Sequence, residues 1–232
     1  MISFVNVSKY FRGPGRSPRV VLDRANLRIN PLERVGVLVP SGGGKTTLAR
    51  LICGAINPSA GVITRAARIS WPLAYSAALH PALTPAQNCV LAARAYNLDP
   101  ADLSLRVAYF AEIGAAFEAP TADLAPAQRM QVAMGLSLCV DFDFYLADEY
   151  SAVASPAFQA KVEAAMETRL ADAGLILLTR HARMIERLTD RTVVLAEGKL
   201  IDCTTPQEAE LILELAAQNA ENSAKERPHA AA

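Results

Sequence analysis

Three glycines in a row, then a lysine and two threonines, constrain this chain more than any other feature: Gly42-Gly43-Gly44-Lys45-Thr46-Thr47. An apolar strand pattern over 34–39 leads into them, and a helix-forming segment, 48–56, follows. A strand, a tight loop and a helix start make an anion site. Loop glycines let backbone N–H groups curl round a phosphate, and the helix N-terminus adds unpaired donors and partial positive charge. Lys45 can reach terminal phosphates, and the Thr46 hydroxyl can hold magnesium. The expected nucleotide contacts are Ser41, Gly42, Gly43, Gly44, Lys45, Thr46 and Thr47. The phosphate-loop pattern G-x-x-x-x-G-K-[ST] asks for glycine at position 39, and the chain has Val39. Valine disfavours positive φ. The loop is therefore expected to start differently, with Ser41 and Gly42 to Gly44 carrying more of the cradle.

The chain around the loop reads as an α/β protein. Residues 2–7 alternate apolar and polar, a strand pattern ended by 8–11. Residues 12–18, rich in Gly, Pro and Arg, read as a hairpin tip, and 20–29 as a second strand. Short strands are expected at 62–63 and 68–71. From 75 to 120 helix-compatible, Ala-rich segments dominate, 85–96 and 101–117, as a helical insertion between two halves of the core. Thr121 to Asp123 can cap the next helix, 126–137. Further elements follow: a strand within 138–147, a helix at 155–171 with Pro156 in its first turn, and an all-apolar strand at 175–178. A helix at 182–188, a hairpin of 192–196 with 200–201, and a last helix at 206–217 complete the set. Strands alternating with helices predict a three-layer core with a mostly parallel sheet. Residues 219–232 show no packing face and are expected to be disordered.

A second element belongs with the loop. Phe144 to Ala147 form an apolar strand that ends in Asp148-Glu149. Ligands of parallel sheets lie at the carboxyl ends of the strands. Asp148 is thus expected beside the loop, binding magnesium, and Glu149 is placed to orient or deprotonate a water that attacks a γ-phosphate.

Composition narrows the rest. The 232 residues are 52% hydrophobic, enough for a full core, and charge balances at +0. There is no electrostatic case for nucleic acid as a partner. Cys53, Cys89, Cys139 and Cys203 have neither metal spacing nor pairing rhythm and read as buried thiols in a reducing compartment. No signal peptide and no run of about 18 apolar residues stands out.

With these motifs the chain resembles the ATP-binding subunits of ABC transporters, and more narrowly those of bacterial capsular polysaccharide exporters. The narrower likeness rests on Ile69-Ser70-Trp71-Pro72-Leu73, on Leu83-Thr84 followed by Asn88, and on Leu136-Ser137 leading to Asp141-Phe142-Asp143-Phe144-Tyr145-Leu146. It runs from residue 2 to about 208. The resemblance implies a P-loop ATPase core with a mostly parallel sheet, an N-terminal antiparallel β-subdomain and a helical subdomain at about 75–137, within one domain of 1–218. It implies an ATPase, with ATP and Mg2+, that pairs with a second cassette, as a homodimer or a heterodimer. An integral membrane permease subunit would complete it at the cytoplasmic face of the inner membrane, and a surface polysaccharide would be the cargo. Phe11 would stack on adenine, with Tyr10 as the adjacent alternative. Leu73, Tyr75 and Leu79 would line the docking groove for the permease, or else pack as ordinary core.

The chain also departs from the family pattern. The signature segment reads Leu124-Ala125-Pro126-Ala127-Gln128, where Ala125 has no hydroxyl and Pro126 no N–H. The lid glutamine falls on His80. The switch histidine falls on Arg180, with His181 next to it. Ser155 stands where an aspartate usually crosses to the partner. These departures imply a slow ATPase, or a nucleotide-sensing cassette acting as the regulatory half of a dimer.

Overall fold

The computed structural model describes residues 1–13, 18–148 and 155–225. In chain order the strands and helices are β1 (Ile2–Phe11), β2 (Arg19–Ile29), β3 (Arg34–Leu38), α1 (Lys45–Ile52), β4 (Ala60–Arg65), β5 (Ile69–Pro72), α2 (Pro85–Tyr96) and α3 (Pro100–Ala111). Then follow α4 (Pro126–Cys139), β6 (Phe144–Asp148), α5 (Pro156–Arg169), β7 (Gly174–Thr179), α6 (Ala182–Leu188), β8 (Arg191–Ala196), β9 (Lys199–Cys203) and α7 (Pro206–Lys225). The chain divides into two units. One comprises 1–68, 146–149 and 174–232; the other comprises 69–145 and 150–173.

In the first unit, β2, β1 and β4 form an antiparallel sheet in that order. A second sheet runs β6-β7-β3-β8-β9. Its centre is parallel: Leu38 pairs with Thr179 on β7, and Val37 with Val193 on β8. β9, returning through Glu197-Gly198, pairs antiparallel with β8. Both turn residues have positive φ, 49° and 77°, as a two-residue hairpin turn that follows the strand twist requires. The centre is buried on both faces, hence the unbroken apolar runs in β7 and β8. Gly36 in β3 lets α6 come close: a Cβ there would lie 2.6 Å from Ile185 Cγ2 and 2.8 Å from Thr189 Oγ1. β2 is tied to β9 by Lys199, whose ammonium donates to the Asp23 carbonyl and to its carboxylate at 2.9 Å. That bond holds the Asp23 carboxyl below its usual range.

The second unit is mainly helical. Trp71, Tyr96, Phe142 and Tyr145 form an aromatic cluster, with centroids of contacting pairs 5.2–5.8 Å apart; Trp71 and Tyr96 are tilted and the pairs with Phe142 are edge-to-face. The Trp71 indole donates to Ser137 Oγ at 2.8 Å, and the Tyr145 hydroxyl to Val140 O. Both buried polar tips are therefore satisfied. Asn88 is a hub: its side-chain amide donates toward His80 O, Thr84 O and Thr121 Oγ1 and accepts from His80 N at 2.7 Å.

Four helices begin alike, with a capping side chain followed by proline. Thr84 caps α2 in a reciprocal box with Gln87, Asp99 caps α3, Ser155 caps α5 and Thr205 bonds the first turn of α7. α4 differs. Its N-cap is Ala125, which makes no side-chain cap; only Gln128 reaches back, accepting from Ala125 N at 3.0 Å.

Several expectations need correction. Strand β1 continues through 8–11, because Lys9, Tyr10 and Phe11 keep pairing with β2 past irregular steps in the register. The helix expected at 101–117 breaks after Ala111, where Glu112 turns left-handed at φ 53°. Thr121 does not cap α4: it is buried and its hydroxyl donates to Leu83 O at 2.7 Å. Leu73 and Leu79 are core residues, 7% and 5% exposed, so of the proposed groove only Tyr75, at 42%, faces solvent. Cys53 and Cys203 are half-buried, not buried like Cys89 and Cys139. The last helix runs on to Lys225, past the expected end at 217; residues 226–232 lie outside the described residues.

Candidate nucleotide-binding site

The site grows from the carboxyl end of the parallel sheet in the first unit. β3 ends at Leu38, and Val39 N then donates to Thr179 O, the last residue of β7, at 2.9 Å. Val39 is fully buried and is not among the residues with positive φ. Valine therefore costs nothing in backbone strain here, because the loop does not need a left-handed residue at that point. The turn comes later. Gly43 N donates to Pro40 O at 2.9 Å, with Gly42 at φ 71° and Gly44 at φ 100°. Side chains would not fit: a Cβ on Gly43 would meet Pro40 at 2.7 Å, and one on Gly44 would meet Val21 Cγ1 at 2.2 Å.

α1 starts directly on the loop, with Gly44 as N-cap and Lys45, Thr46 and Thr47 in its first turn. No side chain caps this end and no acidic residue lies in its first turn, so its donors and dipole are kept for an anion. Lys45 Nζ lies 3.0 Å from Asp148 Oδ1, both partly buried at 18% and 21%. Residues more than a hundred positions apart in sequence thus meet, because β6 ends at the same edge of the sheet as β3. Asp148 Oδ1 is buried and accepts no hydrogen bond of good geometry. A carboxylate oxygen of that kind suits a hard cation, which prefers oxygen ligands; Thr46 offers an exposed hydroxyl on the adjoining helix.

The other expected residues fall as follows. Phe11 is 46% exposed and pairs with Arg19 across the β1–β2 ladder, while Tyr10 pairs with Val20. Neighbouring residues on a strand face opposite ways, and directly opposed residues share a face. Phe11 therefore shares its face with Arg19, which donates to Gly42 O at 2.6 Å, and Tyr10 does not. Arg180, first after β7, donates from Nη1 to Ser41 Oγ at 3.3 Å. His181 is exposed at the start of α6, its backbone N–H bonded to Thr179 Oγ1. Glu149 lies outside the described residues. His80, Ala125 and Pro126 belong to the second unit; His80 is exposed, with its backbone held by Asn88. Ser155, the departure from aspartate, caps α5 by accepting from Phe158 N at 3.2 Å. The sequence reading missed Arg19 and Val21. Nothing in the sequence of β2 named the loop as their contact.

A glycine cradle, a helix start, a lysine and an acidic strand end on a parallel sheet define a nucleotide-binding protein of the P-loop class. Residues 22–152 match the family described as ABC transporter. The chain belongs to that family and is an ABC-type ATPase. It is 34% identical to the ATP-binding protein BexA of Haemophilus influenzae, over 85% of this chain and 91% of that one. It is also 34% identical to the capsule polysaccharide export ATP-binding protein CtrD of Neisseria meningitidis serogroup B, over 86% and 92%. Among solved structures, the ATP-binding cassette MJ0796 in a dimeric post-hydrolysis state bound to ADP and Pi superposes with a TM-score of 0.72. It is 20% identical and covers 86% of this chain and 96% of that one, a likeness of fold.

Proposed function

We propose that this chain is the ATP-hydrolysing subunit of an ABC transporter that exports a capsular or other surface polysaccharide. The observation that carries the reading is Lys45 Nζ at 3.0 Å from Asp148 Oδ1, at the foot of the glycine loop. The cargo is argued from the relatives named for capsule polysaccharide export. Among the described residues no helix is long and apolar enough to cross a membrane; in this reading a separate membrane permease completes the transporter. The chain would sit peripherally at the cytoplasmic face of the inner membrane, paired with a second cassette.

Each residue has a task in this reading. Phe11 stacks on adenine. Ser41, Gly42, Gly43 and Gly44 wrap the phosphates, with Lys45 on the terminal ones and Thr46 and Thr47 at the helix start. Thr46 and Asp148 hold magnesium, which when bound neutralises phosphate charge. Glu149 takes a proton from the attacking water as its oxygen bonds to the γ-phosphorus and the bond to ADP breaks. Arg180, bonded to Ser41, supplies a fixed charge at the switch position, and His181 is the alternative there. His80 stands at the lid position.

The test is ATP turnover by the chain purified with and without its permease, with Glu149→Gln as control. Turnover that the permease stimulates and the control abolishes supports the reading. ATP binding with no turnover in the wild type would assign the chain to nucleotide sensing instead, the role to which the uncapped start of α4 lends weight.

A further inference from the structure

The glycines of the phosphate loop are held from outside by β2. Arg19 and Val21 lie two apart on that strand, on either side of an irregular step in its pairing with β1. They meet Gly42 and Gly44, two apart in the loop. Arg19 Nη2 donates to Gly42 O at 2.6 Å, and Val21, buried, fills the space that a Cβ on Gly44 would need. The peptide joining Gly42 to Gly43 is fixed at both ends: its carbonyl accepts from Arg19, and its N–H donates to Pro40 O at 2.9 Å. A trans peptide is rigid and planar, so bonds on its two opposite ends stop it from flipping. A flip would break both bonds and set the Gly42 carbonyl against Pro40 O, undoing the turn that carries Gly44 and the helix-start donors. Arg19 is also the register partner of Phe11, so one side chain links the loop to the strand that bears the exposed ring.

We propose that Arg19 is a positioning residue of the nucleotide site: it pins the 42–43 peptide and thereby sets the direction of the loop donors. The proposal rests on the nucleotide reading above. Arg19 does not touch the nucleotide; it acts through the loop. Its loss falls on the binding of diphosphate and triphosphate alike and leaves the chemical step alone.

The experiment compares full-length wild type with Arg19→Ala, Arg19→Lys and Lys45→Ala. Equilibrium binding of Mg-ADP and of a non-hydrolysable Mg-ATP analogue is measured, with steady-state turnover and thermal unfolding alongside. Arg19→Ala is expected to weaken both nucleotides about tenfold, as loss of one charge-assisted hydrogen bond implies. KM should rise by a similar factor and kcat stay within about twofold, the mark of lost uniform binding. Arg19→Lys should recover most of the affinity, because an ammonium can still donate to the carbonyl. Unfolding midpoints should match, since the side chain is exposed. Wild-type affinity in Arg19→Ala, or no recovery in Arg19→Lys, overturns the proposal. If wild type binds and Lys45→Ala does not, that failure is confined to Arg19. If wild type binds neither nucleotide, the nucleotide reading itself falls.

Discussion

Lys45 and Asp148 form an ion pair, Nζ to Oδ1 at 3.0 Å, between the first turn of α1 and the last residue of β6. Their removal should have different consequences. Lys45→Ala is expected to weaken ATP binding by a hundredfold or more, on the order of 3 kcal/mol for a lost charge-assisted contact. Asp148→Asn should keep nucleotide affinity when magnesium is chelated and lose the magnesium-dependent part. Calorimetric titration with and without EDTA separates the two.

Arg180 and His181 can be told apart by charge. Arg180 bonds Ser41, and a guanidinium stays charged across the working range of pH. Arg180→Ala should reduce turnover about tenfold or more, and His181→Ala should stay within about twofold. Arg180→His should bring in a pH dependence near 6.5, the ordinary imidazole value, that the wild type lacks. A pH–rate profile of each variant is the check; loss of activity in His181→Ala alone would move the switch role to that residue.

The bare start of α4 invites repair. Ala125→Ser would supply the cap that the other proline-started helices have, and a cap of this kind contributes about 1 kcal/mol. The variant should melt at a higher temperature. Because the same hydroxyl would serve a phosphate at the signature position, turnover in the presence of the permease should rise as well.

Asn88 holds the segment before α2 through bonds to His80 O, Thr84 O and Thr121 Oγ1. Asn88→Ala would take away the acceptor of His80 N and the donors to Thr84 O and Thr121 Oγ1, and loss of this network should cost about 1–3 kcal/mol. Urea unfolding gives the value. Asn88→Asp should recover only part of the loss, since a carboxylate can accept from His80 N but cannot donate to Thr84 O or Thr121 Oγ1.

Burial raises the Cys89 thiol from its ordinary 9.0 to about 12. Above the ordinary value the unfolded chain releases this proton and the folded chain keeps it, so stability falls with rising pH until about 12. The contribution is fully present below pH 9.0. Unfolding free energy measured at pH 8 and pH 10.5 should drop, and by less in Cys89→Ala. Thiol reagents at pH 8 should label half-buried Cys53 before Cys89, which is buried and keeps its proton.

Much of this was legible beforehand for definite reasons. The α2 and α6 ranges follow from sequence because a capping box and proline mark the first, and Thr189 and a following strand close the second. The meeting of Lys45 with Asp148 followed from one rule, that parallel strands present their ends at one edge. What stayed hidden depended on side-chain reach or on tertiary partners. Thr121 looked like a cap until Leu83 and Asn88 claimed it. Leu73 and Leu79 could be read as groove or as core because the loop around them has no period from which burial can be read, and they are core. Val39 looked like a flaw only on the assumption that its position needed positive φ. Arg19 could not be assigned, because pattern gives the face of a strand and not what lies against it.

Gly36 makes one more thing follow. With no side chain on β3 at that point, α6 rests on bare backbone, against Ile185 and Thr189. The same strand delivers the loop, and the same helix begins just after Arg180. A single methyl group at position 36 would prise helix from strand and be felt at both of their ends, so an alanine there would act as a wedge on ATP chemistry without touching ATP.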